Sequence, residues 1–269
     1  MIQIIIFFFL GLIIGSFLNV VVYRLKDAET LLGRSFCRAC HHQIRWYDNV
    51  PLLSYLILRG KCRDCQASIS VQYPLLEAAT GIAFLLVGAV FFRFDDVGTW
   101  LETAYLLGII SLFIAIATYD LIHMEIPVKL LLASFLWVVL FRVVTVFLQP
   151  EEISSVLRLD SILSHSLLGG VVVGMFFFAL VYASRETWMG WGDVWLGGIA
   201  GMMVGLPAIL FLLTLSFGLG AVIGIVLMAR GEKNMKSQIP FAPYLVAGTL
   251  LTLFLSHLFP HVMLWTFFS

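Results

Sequence analysis

The chain has four cysteines, in two pairs of the same internal spacing: Cys37-Arg38-Ala39-Cys40 and Cys62-Arg63-Asp64-Cys65, with 21 residues between the pairs. Each pair can offer two thiolates from one tight turn, and four thiolates close a tetrahedral structural zinc site with no open position. The rival reading is two disulfides, which are rare in a reducing compartment. His41 and His42 could replace a ligand, but the cysteine set is already complete. Zinc would also supply folding energy to residues 24–73, a polar segment short of apolar core.

A second kind of chemistry needs carboxylates. Asp193 sits in Met189-Gly190-Trp191-Gly192-Asp193-Val194-Trp195-Leu196, ahead of an apolar run. An ionisable side chain at membrane depth is costly, and it usually faces a protein interior or water. Gly190 and Gly192 let the backbone leave helical geometry or approach another segment closely. An ordinary helix start with Asp193 as N-cap fits the same residues. Asp120 lies in Tyr119-Asp120-Leu121-Ile122-His123-Met124-Glu125-Ile126-Pro127, where another apolar run ends. If the two carboxylates converge, they cannot both ionise cheaply. One would then deprotonate a water while the other, as an acid, polarises a carbonyl, the aspartic-protease arrangement. Position alone favours the plainer reading, in which each Asp caps its own helix. Glu77 is a third acid at the same boundary, expected to snorkel at the interface. Glu102 and Arg142, towards the outer ends of their runs, are expected to be interfacial. His123, three residues after Asp120, can share its helical face.

The elements that must carry these residues are membrane helices. The chain is 61% hydrophobic and 12% charged, with mean hydropathy +1.02, against about 25% charged in a soluble domain. Its net charge is zero, so bulk charge gives no sign of a nucleic-acid partner, and none is expected. Apolar runs occupy 2–22, 74–92, 100–119, 126–148, 161–183, 208–229 and 241–265, several of them near the roughly 20 residues that a span needs. Residues 194–204 are too short to cross unaided and count as a short or tilted span continuous with the Asp193 motif. No basic residue precedes the first run, so it reads as a retained helix, not a signal peptide. With eight spans and the N-terminus outside, thirteen of the sixteen Lys and Arg residues face the cytoplasm, and only Arg93, Arg142 and Arg158 do not. The acidic loop 149–160 suits the exterior, and dropping the short span would move Arg230, Lys233 and Lys236 outside. The expected architecture is an all-α polytopic membrane protein of about eight transmembrane helices, both termini outside. Its parts are a first helix at 1–23, a cytoplasmic zinc-knuckle loop at 24–73 and a membrane catalytic bundle at 74–269. Small residues at helical spacing, such as Gly11/Gly15 and Gly197/Gly201/Gly205, are expected to let helices pack closely.

Taken in order, these stretches resemble the type IV prepilin peptidases, bifunctional leader peptidases and N-methyltransferases that also process type II secretion pseudopilins. The resemblance is carried by Gly15-Ser16-Phe17-Leu18-Asn19, the two cysteine pairs, Asp48-Asn49-Val50-Pro51, and Tyr73-Pro74-Leu75-Leu76-Glu77. It continues through Asp120, Ile126-Pro127, Gly190-Trp191-Gly192-Asp193 and Ile239-Pro240-Phe241-Ala242-Pro243. It implies that Asp120 and Asp193 are the catalytic aspartates and that Cys37, Cys40, Cys62 and Cys65 hold zinc. It also implies a bacterial inner-membrane enzyme whose active site lies at the cytoplasmic face. Such an enzyme removes a short basic leader after a glycine, then methylates the new N-terminal residue with S-adenosylmethionine. The chain departs from the family at Trp195, where a lysine is frequent, and at Ala242, where glycine is usual. No Gly-rich dinucleotide loop points to the methyl-donor site, and the oligomeric state is not legible.

Two other classes compete. A secondary transporter would use Asp120 and Asp193 as relay acids, but it wants acids deep in the spans and internal repeats. A membrane-anchored zinc-knuckle sensor leaves the paired acids unexplained. Presenilin-like proteases share Gly-x-Gly-Asp but lack the cysteine loop.

Overall fold

The computed structural model describes residues 2–27, 29–148, 162–232, 234 and 237–259. The acidic loop 149–160 with Arg158, the pair Lys233 and Lys236, and positions 260–265 of the last apolar run lie outside the described residues. Every apolar run read from the sequence forms a helix over most of its described residues. The helices are α1 (Ile2–Lys26), α2 (Leu53–Ile57), α3 (Gln72–Val90), α4 (Val97–His123), α5 (Val128–Leu148), α6 (Ile162–Ser184), α7 (Trp191–Val204), α8 (Ile209–Ala229) and α9 (Ala242–Leu258). Among the described residues there is no strand, only two isolated antiparallel bridges, Phe36 with Gln43 and Lys61 with Ser68.

Among the described residues, six helical segments are long and apolar enough to cross a membrane: Ile2–Lys26, Gln72–Val90, Val97–His123, Val128–Leu148, Leu163–Ser184 and Leu206–Ala229. α7 and α9 are apolar but shorter, at 14 and 17 residues. At 1.5 Å per residue α7 reaches only about 21 Å. The chain divides into two compact units, Met1–Ser111 and Leu112–Ser269.

In the first unit α1 packs on α3 through glycines. A Cβ on Gly15 would come within 2.8 Å of the Glu77 Cα, so only glycine permits this approach. α1 stays helical past the apolar run as far as Lys26. The Arg24 guanidinium there is buried and donates to the carbonyls of Thr30, Leu32 and Arg34 at 3.0–3.1 Å, fastening the start of the polar segment to the helix.

In the second unit α7 packs against α6, α5 and α9. Gly169 and Gly201 face one another so closely that a Cβ on either would strike the other's carbonyl oxygen. A short helix in an apolar setting must find partners for its last carbonyls. α7 finds them in Arg142, whose Nη2 donates to Met202 O at 3.3 Å, and Ser166, whose Oγ donates to the same oxygen at 2.6 Å. This corrects the interfacial reading of Arg142, which is 8% exposed. Its charge serves the end of a short helix and not a headgroup.

Candidate active site and metal centre

The two cysteine pairs are built as two copies of one turn. In the first, Cys37 N–H donates to His42 O, His41 N–H to Cys37 O and Ile44 N–H to Ser35 O, at 2.8–2.9 Å. In the second, each bond recurs 25 residues later: Cys62 to Ala67, Gln66 to Cys62 and Ile69 to Gly60, at 2.7–3.0 Å. His41 and Gln66 hold equivalent left-handed φ values of 56° and 59°. The arginine inside each pair is used alike. Arg38 lies 4.2 Å over the Tyr23 ring and pairs with Asp27 at 3.1 Å. Arg63 lies 5.6 Å from the Tyr47 ring centre and makes a bidentate pair with Asp48 at 2.6 and 2.9 Å. The Arg63 guanidinium holds the Asp48 carboxyl below its usual range.

The four Sγ atoms lie within 4.8 Å of one another, and Cys37 Sγ is 3.8 Å from Cys65 Sγ. Tetrahedral Zn–S bonds of about 2.3 Å require sulfurs about 3.8 Å apart, so this cluster fits a tetrahedral thiolate-bound metal. The Cys40 backbone N–H brings the Cys37 thiol down to about 7, whereas Cys40 in the same cluster is pushed up to about 12. His41 and His42 are not members of the cluster.

In the second unit Asp120 and Asp193 line one cavity of about 490 Å³, with Met124–Ile126, Glu186–Gly190, Gly192 and Gln238–Phe241 around it. Both are buried, at 6% and 8% exposure, and within electrostatic reach of one another. Asp120 belongs to the last turn of α4, so it does not cap that helix. Its Oδ2 accepts the Ala242 backbone N–H at 3.1 Å, a bond that ties the start of α9 to α4. Asp193 is not the N-cap it was expected to be: Gly190 holds that position, and Asp193, the third residue of α7, reaches back so that its Oδ2 accepts the Gly190 N–H at 3.1 Å. Its Oδ1 is buried with no hydrogen-bond partner among the described residues. The capping bond and the chemical reading therefore fall on different oxygens of one carboxylate.

The glycines of this motif differ in their work. Gly190 is extended, at φ −94° and ψ 166°, which any residue can adopt. Gly192 is helical, and a Cβ there would come 2.8 Å from Ile126 Cβ. It lets the first turn of α7 close against the segment that follows Asp120.

Other expectations change. Glu77 does not snorkel: it is 8% exposed and accepts the Leu52 N–H at 2.8 Å. Leu52 is the centre of a tight γ-turn, at φ 58° and ψ −49° with Leu53 N–H on Pro51 O at 2.6 Å, a conformation that costs energy and needs such support. His123 packs on Tyr119 with ring centres 4.5 Å apart and does not line the acid cavity. Glu102 is half-buried. Trp195 is 66% exposed and outside the cavity lining. Ala242 contributes its backbone N–H to Asp120, so a methyl where the family has glycine leaves that bond in place. This backbone donor is the member of the site that no side-chain pattern indicates. The two-copy cysteine turn, in contrast, has a visible signal in the parallel between residues 35–44 and 60–69.

Residues 9–91 match the bacterial peptidase A24 N-terminal domain, and residues 106–225 match the type IV leader peptidase family. A type 4 prepilin-like proteins leader peptide-processing enzyme of Escherichia coli O78:H11 (strain H10407 / ETEC) is 33% identical over 93% of this chain and 93% of its own length. Prepilin leader peptidase/N-methyltransferases of Stutzerimonas stutzeri and Pseudomonas aeruginosa are 33% and 32% identical, each over 89% of this chain and 86% of theirs. No solved structure matches the chain. With both family models matched in order and relatives that align over nearly the full length, the chain belongs to the type IV leader peptidase family.

Proposed function

We infer that this protein is a multi-pass membrane enzyme that removes the leader peptide from prepilins and N-methylates the new N-terminus, the two activities named for its relatives. The observation that supports a chemical route for the first activity is the shared cavity of Asp120 and Asp193. In this reading the dyad carries one negative charge. The ionised carboxylate takes a proton from a water, and the protonated partner donates a hydrogen bond to the scissile carbonyl as its oxygen gains charge. The Ala242 and Gly190 N–H groups hold one oxygen of each acid, and Asp193 Oδ1 is left without a partner among the described residues.

Zinc at Cys37, Cys40, Cys62 and Cys65 would be structural, locking the two copied turns of residues 24–73 into one cytoplasmic domain beside the membrane helices. S-adenosylmethionine would supply an electrophilic methyl group. The first unit has a cavity of about 600 Å³ with Tyr23, Arg38, Arg45, Asp48 and Tyr73 in its walls, a size and polarity suited to such a donor. The basic residues clustered at 24–63 favour a cytoplasmic position for this domain and for the inner ends of the helices that carry both aspartates. Pseudopilins would be handled in the same way, since the reaction needs only a leader followed by an apolar segment.

The decisive experiment incubates the purified protein with a synthetic prepilin N-terminus and S-adenosylmethionine, then weighs the products. The expected product lacks the leader and carries one added methyl group. An uncut, unmethylated peptide would refute the reading.

A further inference from the structure

The cavity of the first unit contains two acceptors that neither the metal cluster nor the acid pair uses. Asn19, on α1, is 2% exposed and lines this cavity. Its Nδ2 donates to Tyr73 O at 3.2 Å and Gly15 O at 3.4 Å. Two carbonyl partners fix which end of the amide is nitrogen, so Oδ1 remains a buried acceptor with no partner among the described residues. Glu77, on α3, lines the same cavity, and its hydrogen-bond partners are the Leu52 N–H and the Ser16 side chain, neither of them a cation. Tyr73, which Asn19 holds, lies one helical turn before Glu77, and Gly15 lets the two helices meet at that turn.

A buried acceptor without a donor is costly, as is a buried carboxylate without a counter-charge. A primary ammonium group answers both, having three N–H donors and one positive charge. We propose that Asn19 and Glu77 bind the α-ammonium group of the freshly cut substrate, and that Glu77 then takes one of its protons, freeing the nitrogen lone pair to attack the sulfonium methyl as the methyl–sulfur bond breaks and the neutral thioether leaves. The neighbouring wall is Val20, Tyr73 and Pro74, apolar enough for a chain that continues as a membrane helix. The charged wall formed by Arg38, Arg45, Asp48 and Asp64 is left for the polar donor. This rests on the N-methylation reading given above.

The test uses the full-length protein in bicelles, without a methyl donor, titrated with a peptide that begins at the mature N-terminus. Free-amine and N-acetylated forms are compared. Acetylation should weaken binding to the unaltered protein by about tenfold to a hundredfold, the loss expected for charged hydrogen bonds. Glu77→Gln, which keeps an acceptor for Leu52 N–H, should shrink that ratio to about threefold or less while zinc content and helicity stay unchanged. A structural role alone would lower both affinities and leave the ratio intact. Equal binding of the two peptides by the unaltered protein overturns the proposal, even if the Gln variant fails to fold. So does a Glu77→Gln variant that loses affinity for S-adenosylmethionine alone while keeping the peptide ratio. Acetylation-blind binding by a protein that still cuts and methylates sinks only this site, whereas an unaltered protein that does neither sinks the functional reading first.

Discussion

The cysteine cluster and the acid cavity are assembled on opposite principles. All four sulfurs come from 29 consecutive positions, 37–65, and each pair is shaped by hydrogen bonds that span at most nine residues. The acid cavity draws on Asp120, on Asp193 and on the N–H of Ala242, which is 122 residues from its partner. A local site of this kind forms once its turns form, and a metal can supply the energy. A distant site depends on helix packing, in which a shift of about 1 Å can cost a hundredfold in rate. The first should fail through ligand loss, the second through small geometric changes.

The sharpest break lies at the acids. Asp120→Asn and Asp193→Asn should each lower leader release by about 10³-fold or more, with zinc content and helicity unchanged. Methylation of a substrate supplied already cut should survive in both. If the two acids work as a dyad with one proton between them, leader release should also follow a bell-shaped pH profile. A variant that keeps substantial cleavage removes its aspartate from the mechanism, and one that loses both activities while folded means the two reactions share a centre.

Next in size is the metal. One zinc per chain is expected in protein purified without added zinc, and Cys37→Ser or Cys62→Ser should abolish it. Methyl incorporation should fall at least as far as leader release, because the domain loses its fold. A zinc-free enzyme with four free thiols and full activity would refute the assignment.

Gly192→Ala tests the geometric side. The added Cβ would lie 2.8 Å from Ile126 Cβ, so the first turn of α7 must move. Leader release should drop by roughly tenfold, well inside the range that such misplacement produces. Adding Ile126→Ala should restore part of the rate. Full activity in the single variant would show that the close approach is not needed.

The smallest effect belongs to Asp48. Its folded pKa is depressed by Arg63, so the pair stabilises the domain above the unfolded value of about 3.9 and loses that contribution as pH falls through the folded value. Asp48→Asn should therefore speed zinc loss to a chelator modestly at neutral pH, where the pair is fully formed. The same chelation rate for both proteins at pH 7 would show that the ion pair does not hold the second turn.

Much of this molecule is decided by composition and spacing. Apolar runs can become only helices in a bilayer, because every backbone polar group there needs an internal partner. The repeated Cys-x-x-Cys spacing likewise prescribes a four-sulfur cluster, since the atoms that must meet are close in sequence. Tertiary structure decides matters that depend on distant partners. Arg142 looks interfacial until the end of α7 is seen to need it, and Glu77 looks like a snorkelling acid until Leu52 is seen to hold it. Asp193 could have been a cap or a reactive acid. Its environment gives one oxygen to Gly190 and leaves the other unpartnered, in a residue that shares its cavity with Asp120, an arrangement that no local pattern encodes because it depends on where two helices come to rest with their acids 73 positions apart.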